Sequence, residues 1–453
     1  MSMHLKLALT TGAAILALTP VQTFAAPISD EEAAALLERL NQMEQEVANL
    51  RAQLGAVQTT QQQQTEKVAE VEKVAQAKEK TSIKFKGAPE IKTDDGWSFK
   101  PRGRILYDFN NLSSVPSTIN IPGEGFSNEA RRVRLGVQGS IPGGFGYKLE
   151  ADLLDGVEIT DAYLDYKSGG LTVTVGQHNN FQSLEELSSS NDTSFIERAA
   201  FTDAFGFERQ VGVSAAYKTG DVLLQAGVFT DNIADLDDGN DSIGLDGRVV
   251  FAPKIDNAQL HLGGSVHWKD LGDNVNSLRY RQRPLIHSVD TRFINTGNMD
   301  AEEQLTYGLE AAVISGRFHA AAEGHWATVS RPGLADPTFF GGSVEAGLFL
   351  TDDTREYKDG LFKGVKVNNT VGSGGMGAWQ VNVRYDRLDL TDAGVIGGTQ
   401  DGYMASLIWT PVDYVRFLLN YGRLSYGDAL AIVPGAPDDF SVDVIGARAQ
   451  IAF

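Results

Sequence analysis

Between residues 31 and 80 the apolar side chains recur in a four-three spacing: Leu36, Leu40, Met43, Val47, Leu50, Leu54 and Val57. The same register passes through Gln61 and Gln64 to Val68, Val71 and Ala75. A seven-residue period held for about six repeats predicts an α-helical coiled coil over 30–80, because a helix packed on a globular core carries a wider stripe that drifts at 3.6 residues per turn. The segment has no Pro and a single Gly, and glutamines at two seam positions fix register at some cost in stability. Residues 81–96, with Gly87, Pro89 and Gly96, break the pattern and are expected to be a linker.

From Trp97 the period changes to two. Ile105, Tyr107 and Phe109 alternate with Arg104, Leu106 and Asp108, and Val133, Leu135 and Val137 alternate with Arg132, Arg134 and Gly136. Similar ladders recur to the end of the chain, among them Val211 to Tyr217, Ala258 to Trp268, Phe318 to Thr328 and Trp379 to Tyr385, giving 16 expected strands. A soluble sandwich also alternates. Strands of about ten residues with an outward set of Leu, Val, Tyr, Trp and Phe, joined by alternately short and long connections, instead match a barrel whose outer face meets lipid. The fold class is therefore all-β over 97–453: a 16-stranded antiparallel transmembrane β-barrel preceded by the coiled coil. Residues 352–375 fall where a short periplasmic turn belongs, and a hidden strand or plug is expected there.

Residues 1–25 read as a cleaved secretory signal: Lys6 opens a basic region, Leu7 to Leu18 is apolar, and Thr23 and Ala25 supply small residues at the −3 and −1 positions. Its apolar run is too short to span a bilayer, and no other run reaches 18 residues. The chain carries 59 acidic against 39 basic side chains, a formal charge of −20, which excludes a nucleic-acid partner for want of a basic face. With no Cys there are no disulfides, thiolate metal sites or thiol nucleophiles.

Catalytic and cofactor chemistry finds no foothold. The sequence lacks a nucleophile elbow, a zinc-protease helix and a phosphate-cradling P-loop. His261 and His267 share a strand face but stand ~20 Å apart, too far for one metal. Asp235, Asp237, Asp238, Asn240 and Asp241 resemble a calcium loop loosely and read as a solvated loop tip.

An ordered set of short motifs resembles the phosphate-selective porin O and P family of Gram-negative outer-membrane channels. They include Gly103-Arg104 with Asp108, Arg131-Arg132-Val133-Arg134-Leu135-Gly136-Val137, Asp161-Ala162-Tyr163-Leu164, Phe195-Ile196-Glu197-Arg198, Arg281-Gln282-Arg283-Pro284, Tyr307-Gly308-Leu309-Glu310 and Val383-Arg384-Tyr385. The resemblance implies a 16-stranded homotrimer in the outer membrane, in contact with lipid and lipopolysaccharide, with the coiled coil in the periplasm. Where the family carries Gly-Glu after a Leu-Thr pair this chain has Asp352-Asp353, and no basic phosphate site stands out in the motifs.

Strand parity sends Arg102, Arg104, Arg132, Arg134, Arg384, Arg416 and Arg448 into the lumen, and closure of last strand on first would gather them as one anion-binding arginine wall. The long connection 178–207 carries Glu185, Glu186, Asp192, Glu197 and Asp203 against Arg198 alone. Folded inward as a constriction loop, it would set acids against that wall and create a transverse field; folded outward, it would be a surface loop. Two functions follow: passive diffusion of small hydrophilic solutes, anions such as phosphate foremost, or a structural role in which the coiled coil tethers an inert barrel to the cell wall.

The last strand ends Ala447, Ala449, Ile451, Phe453, and the terminal Phe resembles the ending read by the barrel-assembly machinery. Deleting Phe453 is expected to lower outer-membrane insertion without changing secretion, measured as surface-exposed against periplasmic protein; an unchanged surface yield refutes the assignment.

Overall fold

In the computed structural model, residues 29–453 are described except 80, 120, 122–123, 155, 238, 274, 276 and 431–434, with backbone alone for 74–79. The signal-peptide segment lies outside the described residues. The chain divides into two units, Met1–Glu79 and Lys80–Phe453.

The described part of the first unit holds one helix, α1 (Asp30–Glu79). Ser29 and Glu32 open it as a reciprocal cap, the Ser29 hydroxyl accepting from the Glu32 amide and the Glu32 carboxylate accepting from the Ser29 amide. Asp30, Glu31 and Glu32 place negative charge on the positive end of the helix dipole. The seam residues lie uncovered along it, from 46% exposed at Val47 to 67% at Val71.

The second unit starts with a hairpin, β1 (Thr81–Lys86) and β2 (Ala88–Thr93), where the sequence reading expected a linker. Alternation of Ile83 and Phe85 with Ser82, Lys84 and Lys86 already has the strand period, and Gly87, at φ 79°, makes the turn.

The wall runs β3 (Ser98–Ser113), β4 (Gly125–Ile141), β5 (Phe145–Asp152), β6 (Glu158–Ser168), β7 (Leu171–Asn179), β8 (Arg209–Thr219), β9 (Val222–Phe229) and β10 (Ile243–Phe251). It continues with β11 (Ala258–Asp270), β12 (Glu303–Ser315), β13 (Phe318–Ser330) and β14 (Thr338–Phe349). After an inner hairpin, β15 (Arg355–Lys358) and β16 (Leu361–Val365), come β17 (Ala378–Asp392), β18 (Val395–Val412), β19 (Val415–Gly427) and β20 (Phe440–Ala452). Each wall strand pairs antiparallel with the next, and β20 pairs with β3 from Ala452↔Arg104 to Asp443↔Ser113. The result is a closed 16-stranded antiparallel barrel. Parity is as the alternation demands: Ile105, Tyr107 and Phe109 are exposed on the outside, while Arg104, Leu106 and Asp108 are buried toward the lumen.

The lumen is not an open tube. The connection between β7 and β8 carries two short helices, α2 (Leu184–Leu187) and α3 (Ala200–Ala204), and packs Phe195, Ile196 and Phe201 into one apolar cluster with Leu285, Ile286 and Phe293 of the β11–β12 connection and with Leu388, Leu424 and Val444 of the wall. Glycines in the wall make room. A Cβ at Gly446 would overlap Ile196 Cδ1, and one at Gly341 would overlap Phe201.

The 352–375 segment resolves as the inner hairpin. Asp359 and Gly360, both at positive φ, form its turn. Arg248 of β10 donates to the Gly360 carbonyl (3.2 Å), Lys218 of β8 pairs with Asp359 (2.9 Å), and Tyr357 shares a hydrogen bond with His261 (2.6 Å). A connection that leaves β14 at the end where the short turns lie thus reaches across the lumen to β8, β10 and β11.

Because Gly446 provides the seat of Ile196, Gly446→Val is expected to displace the β7–β8 connection. Single-channel recordings should then show larger and noisier conductance with the barrel still folded; an unchanged current trace refutes that packing.

Candidate functional site

The β7–β8 connection crosses the lumen, so its peptide groups need partners away from any strand. Ser183 caps α2, its hydroxyl accepting from the amides of Glu185 and Glu186 (3.2 Å each). From the far wall Glu323 of β13 accepts from the amides of Leu184 (2.9 Å) and Glu185 (2.8 Å). Arg416 donates to the carbonyls of Asn191 and Thr193, both at 2.7 Å. Arg384 donates to the carbonyls of Glu197 (3.2 Å) and Arg198 (3.3 Å), meets the Glu185 carboxylate at 3.1 Å and lies 4.4 Å over the Phe195 ring. Arg448 clamps Asp108 (2.6 and 2.7 Å) and reaches Glu197 at 3.3 Å.

The single arginine wall expected from parity is therefore divided. Arg384, Arg416 and Arg448 do point inward, but the connection lies on them, and a guanidinium, with five donors in a fixed fork, is suited to binding stray carbonyls and carboxylates together. They hold the loop. The acids are likewise engaged: Glu185 with Arg384, Glu186 with Arg198 (3.3 Å), and Glu197 with Arg131 (2.7 Å) and Arg448. Burial would raise the Glu197 pKa, but the Arg131 and Arg448 guanidiniums outweigh it and hold this loop carboxyl well below the usual range. Asp192 faces the inner hairpin, where its carbonyl accepts from Arg355 (2.9 Å). Glu185, Glu186 and Glu197 are thus paired with arginines rather than left as an open acidic face.

Open space remains on the other side of the loop, against β3–β8. There a cavity of about 340 Å³ is lined by Arg102 and Arg104 of β3, Arg131, Arg132 and Arg134 of β4, Lys148 of β5 and Arg209 of β8. Glu186, Glu197 and Arg198 border it from the loop, Arg283 and His287 from the β11–β12 connection, and Lys363 from the inner hairpin. Ten cationic side chains line it against four acidic ones, Asp161, Glu186, Glu197 and Asp203. Register brings the strand residues together: Arg104 stands opposite Arg134, and Arg102 opposite Gly136.

Most of these cations are partly neutralised. Arg104 pairs with Glu150 (3.1 Å), Arg134 with Asp152 (2.9 Å), and Lys148 and Arg209 share Asp161 (2.7 and 3.3 Å). Arg102 bonds the neutral Gln138 amide at 2.6 Å. Among the described residues, Arg132 and Lys363 have neither a hydrogen-bond nor an ion-pair partner for their side chains. No carboxylate in contact offsets the charge of either side chain where it lines the cavity.

Strand parity missed Arg131. Leu106 pairs with Arg132 but Tyr107 with Ala130, so Arg131 is the extra residue of a β-bulge, and the bulge turns it inward to Glu197. Lys363 and Arg283 were illegible for a different reason: both lie on connections whose inward folding has no period to read.

A closed barrel with an apolar exterior, a charged interior and an inward loop that narrows the opening defines a water-filled channel of the bacterial outer membrane. This chain belongs to the phosphate-selective porin O and P family, whose family model matches residues 99–453. It is 47% identical over 384 residues to an uncharacterised protein of Caulobacter vibrioides, covering 82% of this chain and 77% of that one. It is 27% identical over 361 residues to Porin O of Pseudomonas aeruginosa, covering 70% and 78%. Among solved structures it is similar to the anion-selective porin from Comamonas acidovorans (TM-score 0.50, 12% identity, 79% of this chain and 100% of that one). It is also similar to the trimer form of OmpT of Vibrio cholerae (TM-score 0.50, 12% identity, 79% and 100%). At such identities these two establish the fold alone. The protein is an outer-membrane porin of the Gram-negative type, in a family of channels rather than enzymes.

Proposed function

We propose that this porin is an anion-selective diffusion channel for small hydrophilic solutes, phosphate among them. The observation that carries the reading is the cation excess of the β3–β8 cavity, and within it the unpartnered Arg132 and Lys363. In a narrow passage between low-dielectric walls an anion gains Coulomb energy that bulk water would largely screen. Guanidiniums add two-point hydrogen bonding to a phosphate oxyanion. The solute would pass Arg132 between the wall and the loop, then Arg102 and Lys363 toward the periplasm. A cavity of this charge also speaks against the inert-anchor alternative. The name of the family to which the chain belongs, phosphate-selective porin O and P, agrees with the reading.

The test is the reversal potential of the purified protein across a planar bilayer in a potassium chloride gradient. Arg132→Ala and Lys363→Ala are each expected to lower the anion-to-cation permeability ratio, and the double variant to lower it further. The effect should fade as the Debye length falls from ~10 Å at 0.1 M to ~3 Å at 1 M salt. A double variant that keeps the parent potential in low salt refutes the assignment.

The same reading takes the uncovered seam of α1 to be the site of self-association, as a homotrimer with the coiled coil in the periplasm, the barrel being inserted by the assembly machinery beside lipopolysaccharide. Removing residues 27–80 is expected to leave the conductance of each channel intact while weakening the oligomer in native electrophoresis. Loss of conductance would make the helix part of the pore instead.

A further inference from the structure

The hairpin β1–β2 has two unlike faces. Directly paired residues of an antiparallel ladder point to the same side, so Ile83 with Ile91 and Phe85 with Pro89 form one face, and Ser82 with Lys92 and Lys84 with Glu90 form the other. The pair Ile91↔Phe99 then carries the apolar face onto the side of β3 that holds Phe99, Ile105 and Tyr107, the outside of the barrel. On the inner side Lys100 donates to the Lys86 carbonyl at 3.1 Å.

The hairpin occupies a defined place in the wall. The ladder of β20 with β3 stops at Ala452↔Arg104, and β2 takes up the next stretch of β3, below the carboxyl end. Its turn is docked there: a Cβ at Gly87 would come within 2.7 Å of Tyr414 Cδ1 and 2.9 Å of Phe453 Cα. Yet Phe85 is 79% exposed and Ile83 59%, at least as bare as the outward Phe99 at 42%.

We propose that the face formed by Ile83, Phe85 and Ile91 is part of the lipid-contacting wall, seated on the acyl chains of inner-leaflet phospholipid at the periplasmic edge of the barrel. Two features set its depth. The apolar face is continuous with the outer surface of β3, which draws it to lipid. The outer edge of β1, which has no strand partner among the described residues, carries peptide groups that hydrocarbon would leave unsatisfied, and this holds the hairpin at the headgroup boundary. Lys84 and Lys92 point away from the bilayer.

The chain has no Cys, so single nitroxide labels can be placed cleanly. Ile83→Cys, Phe85→Cys, Ile91→Cys, Lys84→Cys and Lys92→Cys are labelled in the full-length porin and reconstituted into vesicles of phosphatidylethanolamine and phosphatidylglycerol, with conduction as the check of folding. The ratio of collision rates with oxygen to those with a water-soluble nickel chelate is expected to be several-fold higher at 83, 85 and 91 than at 84 and 92. Equal, water-like ratios at all five sites overturn the proposal. So does a face closed to both relaxants whose spectra show dipolar broadening that vanishes on dilution with unlabelled protein, since that would assign it to a second copy of the chain.

Discussion

Peptide groups in a bilayer have no water to bond, so the sheet must close on itself. The pairing of β20 with β3 therefore governs everything inside the barrel. It sets strand parity all around the wall, and parity decides which side chains reach the lumen. Closure also brings Arg448 of the last strand onto Asp108 of the first, the contact that ties Glu197 and the inward loop to the wall.

The same demand recurs inside. A connection that crosses the lumen between β7 and β8 carries carbonyls and amides that no ladder satisfies, and the wall supplies the partners: Arg384 and Arg416 for the carbonyls, Glu323 and Asn420 for the amides. The far half of the barrel becomes a packed core with a hydrogen-bonded rim. On the other side of the loop, cations from four strands stand around the cavity against β3–β8. The side to which the loop is clamped decides which inward cations border that cavity and which are covered.

The inner hairpin extends this division downward. Arg355 lies 4.1 Å over Phe362 and bonds Ser194 (3.0 Å) and the Asp192 carbonyl, so hairpin and loop support one another. Lys363, the hairpin's contribution to the cavity, is positioned by contacts on the opposite side of the strand pair.

The sequence by itself determined the barrel. Alternation is a local property of a strand half in lipid and half in water, and it is legible because lipid tolerates no error in it; the inward setting of Arg102, Arg104, Arg132 and Arg134 followed directly, as did the seven-residue period of α1. The tertiary structure alone decided what each inward charge does. Arg132 and Arg416 have the same residue type and the same parity, but one faces open space and the other bonds two loop carbonyls. A bulge put Arg131 where parity does not, and an aperiodic connection delivered Lys363. Whether an arginine stands free or serves as a clamp depends on which segment crosses the lumen to meet it, and that contact joins residues about 220 positions apart, beyond the reach of any local period.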